Sequence, residues 1–374
     1  MTALPCLRVA LVFLLLVACA PRGQITLDPQ AAEIGLVQSV FVGTTREIDP
    51  KTGRFGGNRS EKPSFARYDV SVPPDRDLGK IVWPRRHGAP DPRRDFLTTA
   101  EVIHPDAAAF RADLTRALTV RSRGTRDAVI FVHGFNTNFS EGLYRIAQLS
   151  NDLQMPGVTV HYSWPSAGSP LGYVYDRDSA LFARDGLEEL IVQVAAAGAE
   201  RILLVAHSMG SGLAMEALRQ VAIRGDARLK SRIAGVILIS PDLDVDVFRA
   251  QALEIGTLPQ PFLIFGSDRD RLLNLSARLT GEPARLGNMK NVSRVADLKV
   301  TYLDVAAYAS GAGHFPLGNS PALISLMAGI GNVDAAFAAE LRGRTGLLPG
   351  VVLTVQSATE VILAPMTAIA GEMH

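Results

Sequence analysis

The sequence predicts an α/β protein with a mainly parallel central sheet flanked by helices. Six apolar segments of strand length follow one another along the chain, and they are near-continuous rather than alternating. Continuous apolar runs are typical of strands covered on both faces. Segments of helical length separate them, and this alternation favours a doubly wound architecture. Hydrophobic residues make up 47% of the 374 residues, enough for a large core.

Charge balance and cysteine content exclude several classes of protein. The chain has 38 Lys and Arg against 37 Asp and Glu, a net charge of +1. Such a balance is unlike that of a nucleic-acid-binding protein, and the chain is too apolar to be disordered. Its two cysteines, Cys6 and Cys19, are too few for a disulfide scaffold. We therefore expect a globular protein without a nucleic-acid partner.

Residues 1–18 are predicted to be a lipoprotein signal peptide. Arg8 precedes an apolar run, residues 9–17, that is too short to span a bilayer. The next step rests on a resemblance, because residues 16–19 (Leu-Val-Ala-Cys) are similar to the bacterial lipobox, whose cysteine becomes the acylated N-terminus. Lipid on Cys19 would anchor the protein in a bacterial cell envelope, and Ala20 favours the periplasmic face of the outer membrane. An ordinary signal peptide cleaved nearby is the alternative.

Residues 19–125 form a predicted N-terminal extension that is rich in Pro, Arg, Asp and Gly. Short apolar runs predict strands, and clusters of turn-forming residues predict loops. The predicted elements are strands at 37–43 and 68–72, loops at 49–63 and 73–94, and a helix at about 105–118.

Residues 126–345 form the predicted main domain, and residues 346–374 an apolar C-terminal tail. The predicted strands are 128–132, 158–163, 201–206, 233–240, 261–266 and 299–304. The predicted helices are 140–153, 178–197, 209–223 and 321–341. Pro349 and Pro365 limit any helix in the tail to less than a bilayer's thickness, so we expect the tail to pack on the body.

A candidate nucleophile lies where one predicted strand runs directly into a helix. Residues 206–210 are Ala-His-Ser-Met-Gly, and small residues two before and two after Ser208 allow a sharp strand–turn–helix elbow. The backbone N–H of Met209, at the start of the helix, is the expected first donor to an oxyanion. The alternative is a chance occurrence of this short pattern.

A second donor is expected after the strand at 128–132. It is followed by His-Gly-Phe-Asn, residues 133–136, at the sheet edge where Ser208 is expected. The N–H of Phe135 is the candidate donor, and Asn136 is a possible helper or pocket residue. A plain strand-to-helix turn is the alternative.

The catalytic base is expected late in the chain. Folds with such a serine elbow carry the nucleophile, the acid and the histidine base in the chain order Ser, acid, His. His314 lies in a glycine-rich segment after the last predicted strand, whereas His374 is the final residue. His314 is therefore the candidate base. A surface histidine is the alternative.

Three aspartates are candidate acids, each following a predicted strand. Asp270 is the first choice, Asp268 the second and Asp242 the third. A carboxylate there would orient the imidazole and stabilise its cation. Asp after a strand is also common as a helix cap, so two of the three are expected to be caps or loop charges.

Residues 37–340 resemble a bacterial α/β-hydrolase family of unknown function (DUF900-like) that is grouped with the esterase/lipase superfamily. Four motifs carry the resemblance: Val-His-Gly-Phe-Asn-Thr at 132–137, Tyr-Ser-Trp-Pro-Ser-Ala-Gly at 162–168, Leu-Gly-Tyr-Val-Tyr-Asp-Arg at 171–177 and Ala-His-Ser-Met-Gly at 206–210. The family also carries an acidic residue followed by a basic one and then a leucine-serine pair, which align best on Asp270-Arg271 and Leu275-Ser276, and a late Gly-His, which aligns on Gly313-His314. The resemblance implies an α/β-hydrolase fold and serine chemistry, but it does not imply a particular substrate.

Residues 163–179 combine aromatic residues with glycines and prolines. Trp164 and Tyr173 are candidates for a wall or lid of the acyl pocket, and a loop covering the sheet edge is the alternative. Asp176 and its charged neighbours are predicted to be helix starts and solvated faces. No spacing of ligands suggests a metal site or a cofactor.

The sequence therefore favours a membrane-anchored serine hydrolase that cleaves a carboxylic ester or thioester of a small molecule or lipid. Two alternatives remain open. One is a non-catalytic envelope scaffold that retains the fold. The other is a serine peptidase or acyltransferase.

Overall fold

The computed structural model describes residues 22–281, 284–290, 292–308, 314–329, 350–355 and 358–363. The predicted signal peptide, Cys19 and much of the C-terminal tail lie outside these residues.

Strands and helices alternate through most of the described chain. The strands are β1 Leu36–Asp49, β2 Arg54–Val72, β3 Leu97–His104, β4 Asp127–Val132, β5 Val158–Ser163, β6 Arg201–His207, β7 Ile233–Ile239, β8 Phe262–Gly266, β9 Thr301–Asp304, β10 Gly350–Val355 and β11 Ala358–Leu363. The α-helices are α1 Ala107–Thr119, α2 Phe139–Asp152, α3 Tyr173–Phe182, α4 Arg184–Ala196, α5 Met209–Arg224, α6 Ala227–Arg232, α7 Val245–Ile255, α8 Arg271–Thr280, α9 Pro316–Asn319 and α10 Pro321–Gly329. Short 3-10 helices cover Pro29–Glu33, Leu286–Asn288, Val292–Val295 and Ala306–Tyr308.

Within the described residues, eleven strands form one sheet in the order β10-β11-β9-β8-β7-β6-β4-β5-β1-β2-β3. Neighbouring strands from β11 to β1 are parallel. Antiparallel pairs occur at the two ends, between β1 and β2, β2 and β3, and β10 and β11. The predicted mainly parallel sheet is confirmed.

The central strands are buried on both faces, as their continuous apolar sequences predict. In β4, Ile130 and Val132 belong to one hydrophobic cluster, while Val129 and Phe131 belong to the cluster on the opposite face. Successive side chains of a strand point to opposite faces. Because helices cover both faces, apolar residues are stabilising at every position of such a strand.

The N-terminal extension is more regular than the sequence predicts, and the loop predicted at 49–63 is wrong. Strand β2 begins at Arg54 and pairs with β1 almost along its whole length. Pro63 lacks an N–H, and it lies where the pairing between the two strands is interrupted. Pairing with β1 thus overrides the weak strand propensity of this segment. Residues 73–96 contain no helix or strand, which agrees with the loop predicted at 73–94.

Several helices also differ from the prediction. The helix predicted at 178–197 is two helices, α3 and α4, and α3 begins five residues earlier. Helices α6, α7 and α8 were not predicted. Of the helix predicted at 321–341, α10 covers the described part. In the tail, β11 pairs in parallel with β9. No helix in the described ranges is long and apolar enough to cross a bilayer.

Candidate active site

Ser208 lies on a sharp turn between β6 and α5. Its backbone has φ 52° and ψ −124°, an uncommon conformation for a residue with a side chain. The Ser208 N–H donates to the carbonyl of Ile239 at 2.9 Å, which ties the turn to the neighbouring strand. A Cβ on Gly210 would lie 2.3 Å from the carbonyl oxygen of His133. Only glycine at position 210 therefore lets helix and sheet approach this closely.

His314 connects the serine to a carboxylate. Its Nε2 lies 2.9 Å from Ser208 Oγ, and its Nδ1 lies 2.8 Å from Asp270 Oδ2. A carboxylate accepts hydrogen bonds, so the neutral ring donates from Nδ1 and accepts the hydroxyl proton of Ser208 at Nε2. This is the arrangement of a nucleophile, a base and a group that orients the base.

Asp270 combines this contact with a structural role. It is the N-cap of α8, and its Oδ1 accepts hydrogen bonds from the backbone N–H groups of Leu272 and Leu273, each at 3.0 Å. The residue is fully buried. The cap fixes the plane of the carboxylate, which leaves Oδ2 for His314.

The other two candidate acids lie elsewhere. Asp242 accepts from Ser276 Oγ at 2.6 Å and Tyr173 Oη at 2.9 Å, and it pairs with Arg285. Asp268 is exposed at the surface. Among the described residues, neither aspartate bonds to His314. The geometry favours Asp270 as the acid.

The expected oxyanion donors flank Ser208. A Cβ on Gly134 would lie 2.9 Å from Ser208 Cβ, so the segment leading to Phe135 packs directly on the serine. The N–H groups of Phe135 and Met209 have no acceptor among the described residues. Asn136 differs, because its N–H donates to Asp176 and its side-chain oxygen accepts from Arg22. Both of these groups of Asn136 therefore already have hydrogen-bond partners.

Trp164 does not line a pocket, so that prediction is wrong. Its side chain is fully buried, stacks on His133 at a centroid distance of 4.8 Å, and donates from Nε1 to the His133 carbonyl at 2.7 Å. Aromatic residues among glycines occur both in pocket walls and in loop cores, so the sequence does not distinguish the two. Trp164 supports the segment before Gly134 from within the core.

Tyr173 does line a pocket. Its ring packs edge-on against Phe135 at 5.4 Å. Together with Met209, Leu213 and Arg285 it borders a pocket of about 240 Å³ next to the serine turn.

Two histidines beside the site remain neutral. Burial lowers the pKa of His133 and of His207 well below the usual value. The His207 ring lies 4.9 Å from the ring of His314 and 4.2 Å from that of Phe315. His207 thus packs against the segment that carries the candidate base. In the described part of the chain, no three His, Cys, Asp or Glu side chains are grouped as in a metal site.

Sequence reasoning missed two buried charged residues near the site. Asp176, predicted to lie at a helix start or on a solvated face, lies in the first turn of α3 but is fully buried, and Arg46, in β1, is 1% exposed. Both contact the segments around residues 133–137 and 163–167. No signal in the sequence marks them, because each lies beside other charged residues.

Several esterases are among the solved structures that are similar to this chain. Esterase B from Lactobacillus rhamnosis is 18% identical with a TM-score of 0.29, and the match covers 49% of this chain and 66%, just under two thirds, of that chain. A fungal esterase from Rhizomucor miehei is 16% identical with a TM-score of 0.35, covering 84% of this chain and 86% of that chain. Thermogutta terrifontis esterase 2 is 12% identical with a TM-score of 0.32, covering 74% and 90%.

No curated protein matches the sequence. The model of the family described as "Alpha/beta hydrolase of unknown function (DUF900)" matches residues 106–326, more than half of the chain. The matched residues include Ser208, Asp270 and His314, and the chain belongs to this family of α/β hydrolases.

Proposed function

We propose that the protein is a serine hydrolase that cleaves a carboxylic ester or thioester. The observation that carries this proposal is the hydrogen-bonded chain from Ser208 Oγ through His314 to Asp270, with contacts of 2.9 and 2.8 Å. It lies at the carboxyl edge of a parallel sheet, where ligand sites of such sheets occur.

In the proposed reaction, Ser208 attacks the carbonyl carbon while His314 Nε2 takes the hydroxyl proton. The oxyanion forms beside the N–H groups of Phe135 and Met209, at the positive end of α5. Collapse of this tetrahedral intermediate breaks the bond from the carbonyl carbon to the leaving oxygen or sulfur. The leaving atom receives the proton from His314. Water then attacks the acyl-serine in the same way, releasing the acid and restoring the hydroxyl. Asp270 stabilises the imidazolium in both halves.

The pocket beside Met209 favours a substrate with a small acyl group. Its volume of about 240 Å³ is enclosed partly by apolar residues, among them Leu213, Leu243 and Val247. We expect acetate or butyrate esters to be cleaved faster than dodecanoate esters.

A fluorophosphonate probe and a panel of p-nitrophenyl esters and thioesters test the proposal. Wild-type protein should be labelled and active, and Ser208→Ala, with the fold checked by circular dichroism, should be neither. A folded wild-type protein that stays unlabelled and inactive would contradict the proposal and favour a binding scaffold. Cleavage of peptides, or acyl transfer to an added alcohol without hydrolysis, would assign a different serine reaction.

We propose, on the sequence alone, that lipid on Cys19 tethers this hydrolase to a membrane.

A further inference from the structure

Arg46 places a buried guanidinium next to the candidate site. Its donors reach four acceptors on three separate segments: Ser163 Oγ at 2.9 Å, and the carbonyl oxygens of Gly56 at 2.8 Å, Ser166 at 3.0 Å and Thr137 at 2.9 Å. The planar guanidinium offers its N–H groups in a fixed fork. Because the side chain is rigid and 1% exposed, it fixes these segments relative to one another.

Asp176 supplies the opposite charge from the other side of Ser166. Its carboxylate accepts from Ser166 Oγ at 2.5 Å, from the N–H of Ala167 at 2.7 Å and from the N–H of Asn136 at 3.1 Å. Burial lowers the pKa of Arg46 to about 10 and the charge of Asp176 opposes this shift, so the guanidinium stays protonated. Ser166 therefore bridges two buried charges.

Residues 135–137 lie between the charges of Arg46 and Asp176 and carry the expected oxyanion donor. Asn136 has a φ of 55°, an uncommon conformation that persists only where the surroundings hold it. Three hydrogen bonds tie this turn to the two buried charges: Asn136 N–H donates to Asp176, Thr137 N–H donates to Ser166 Oγ at 3.1 Å, and Arg46 donates to the Thr137 carbonyl. Arg22 also donates to the side-chain and backbone oxygens of Asn136, at 2.7 and 2.8 Å. Phe135, whose N–H is the expected donor, directly precedes Asn136.

We propose that Arg46 and Asp176 are positioning residues that hold the Phe135 N–H where the oxyanion develops. This inference rests on the proposed function. Neither residue reacts with substrate. Each acts through Ser166 and residues 136–137, and a displacement of the donor by about 1 Å is enough to slow a reaction about a hundredfold. By supplying Arg46, the N-terminal extension contributes to the active site.

Arg46→Lys tests this role, because a lysine ammonium keeps the charge but cannot span four acceptors. We expect kcat on p-nitrophenyl butyrate to fall by about ten- to a hundredfold, with KM changed by less than about twofold. Arg76→Lys is the matched control. Arg76 is also buried and pairs with Asp152, but it contacts neither residues 133–137 nor 163–167 among the described residues. It should lower the melting temperature and leave kcat unchanged.

Asp176→Asn is the second variant, and it decides the outcome if Arg46→Lys does not fold. The amide is isosteric but cannot accept all three hydrogen bonds, so kcat should again fall with KM nearly constant. Added guanidinium, but not ammonium, should restore part of kcat in Arg46→Ala. Folded variants with wild-type kcat would overturn the inference, as would an equal loss in Arg76→Lys. An unlabelled, inactive wild type would instead overturn the proposed function.

Discussion

The Asp270 carboxylate both caps a helix and contacts the candidate base. Its Oδ1 caps α8 through Leu272 and Leu273, and its Oδ2 bonds to His314. From the sequence alone, a helix cap and a contact with the candidate base look like alternatives, whereas Asp270 makes both at once. The folding of α8 orients the carboxylate, and this orientation directs the imidazole towards Ser208.

The two roles of Asp270 can be separated by Asp270→Asn. Asn is as good an N-cap as Asp, so the fold should be retained. The amide cannot stabilise the imidazolium, and we expect kcat to fall by about 10³-fold or more in a steady-state ester assay. Asp268→Asn and Asp242→Asn are the controls, and each should retain kcat within about tenfold. Near-complete loss in either control, with activity kept in Asp270→Asn, would identify a different acid.

At the residue scale, the sequence predicts those side chains whose position follows from chain order. Ser208 follows a strand, and His314 is placed by elimination. The acid stays open among three aspartates, because each follows a strand and the sequence does not show which one faces the imidazole. Arg46 contacts residues more than 85 positions away, and such contacts leave no local pattern.

Helix α5 owes its position to a glycine in its first turn. Gly210 faces the backbone of β4, where a Cβ would lie 2.3 Å from the His133 carbonyl and 2.9 Å from that of Val132. Backbone atoms of a central strand cannot move aside. Gly212, one half-turn on, would place its Cβ 3.6 Å from Leu243, which is ordinary contact.

Gly210→Ala and Gly212→Ala should therefore have opposite effects. We expect Gly210→Ala to lower the free energy of unfolding by about 1–3 kcal/mol and to slow fluorophosphonate labelling, because α5 and Ser208 must shift. Gly212→Ala should be neutral or stabilise by up to about 1 kcal/mol, since alanine favours helix over glycine. Urea unfolding and labelling rates measure both. Equal behaviour of the two variants would contradict this account of the turn.

The hairpin of β1 and β2 shows why elements at a sheet edge are hard to predict. Residues 54–63 contain two adjacent glycines and a proline, which locally favour a loop. They form a strand because β1 pairs with β5 and extends the sheet outward to β2. Central strands need no such help, since their apolar sequences already match burial on both faces.

Buried neutral histidines make the stability of the whole molecule depend on pH. Desolvation lowers the pKa of His161 to about 3 and those of His133 and His207 well below 6.5. In the unfolded chain all three bind protons below about pH 6.5. The unfolded state then holds more protons, so the free energy of unfolding should fall as the pH drops from about 6.5 towards 3, by up to about 1.4 kcal/mol per pH unit for each histidine.

Urea unfolding at several pH values between 7.5 and 4.5 measures this slope. His161→Asn should reduce the slope by the contribution of about one bound proton, which is about 1.4 kcal/mol per pH unit. His87→Asn, at an exposed position, should leave it unchanged. A free energy of unfolding that is constant from pH 7 to 5 would refute the assignment of neutral buried rings.

The proposed membrane tether would also affect the whole molecule. In a bacterial host, Cys19→Ala should abolish incorporation of an alkyne-tagged palmitate and move the protein from the membrane to the soluble fraction. Cys6→Ala should leave labelling intact, because Cys6 lies in the predicted signal peptide. Wild-type protein without label, processed at another position, would support the ordinary signal peptide.

The sequence by itself determined the α/β class and the central strands, indicated the family by resemblance, and made Ser208 and His314 candidates. The strands and the turn at Ser208 follow from local patterns, namely apolar runs that match burial on two faces and small residues that allow a sharp turn. His314 follows from its order in the chain. The tertiary structure alone decided that Asp270 faces His314, that Trp164 is buried, and that Arg46 and Asp176 bracket the Phe135 segment. Each depends on which distant segments meet in the fold, because a hydrogen bond between buried groups requires a partner that the local sequence does not identify.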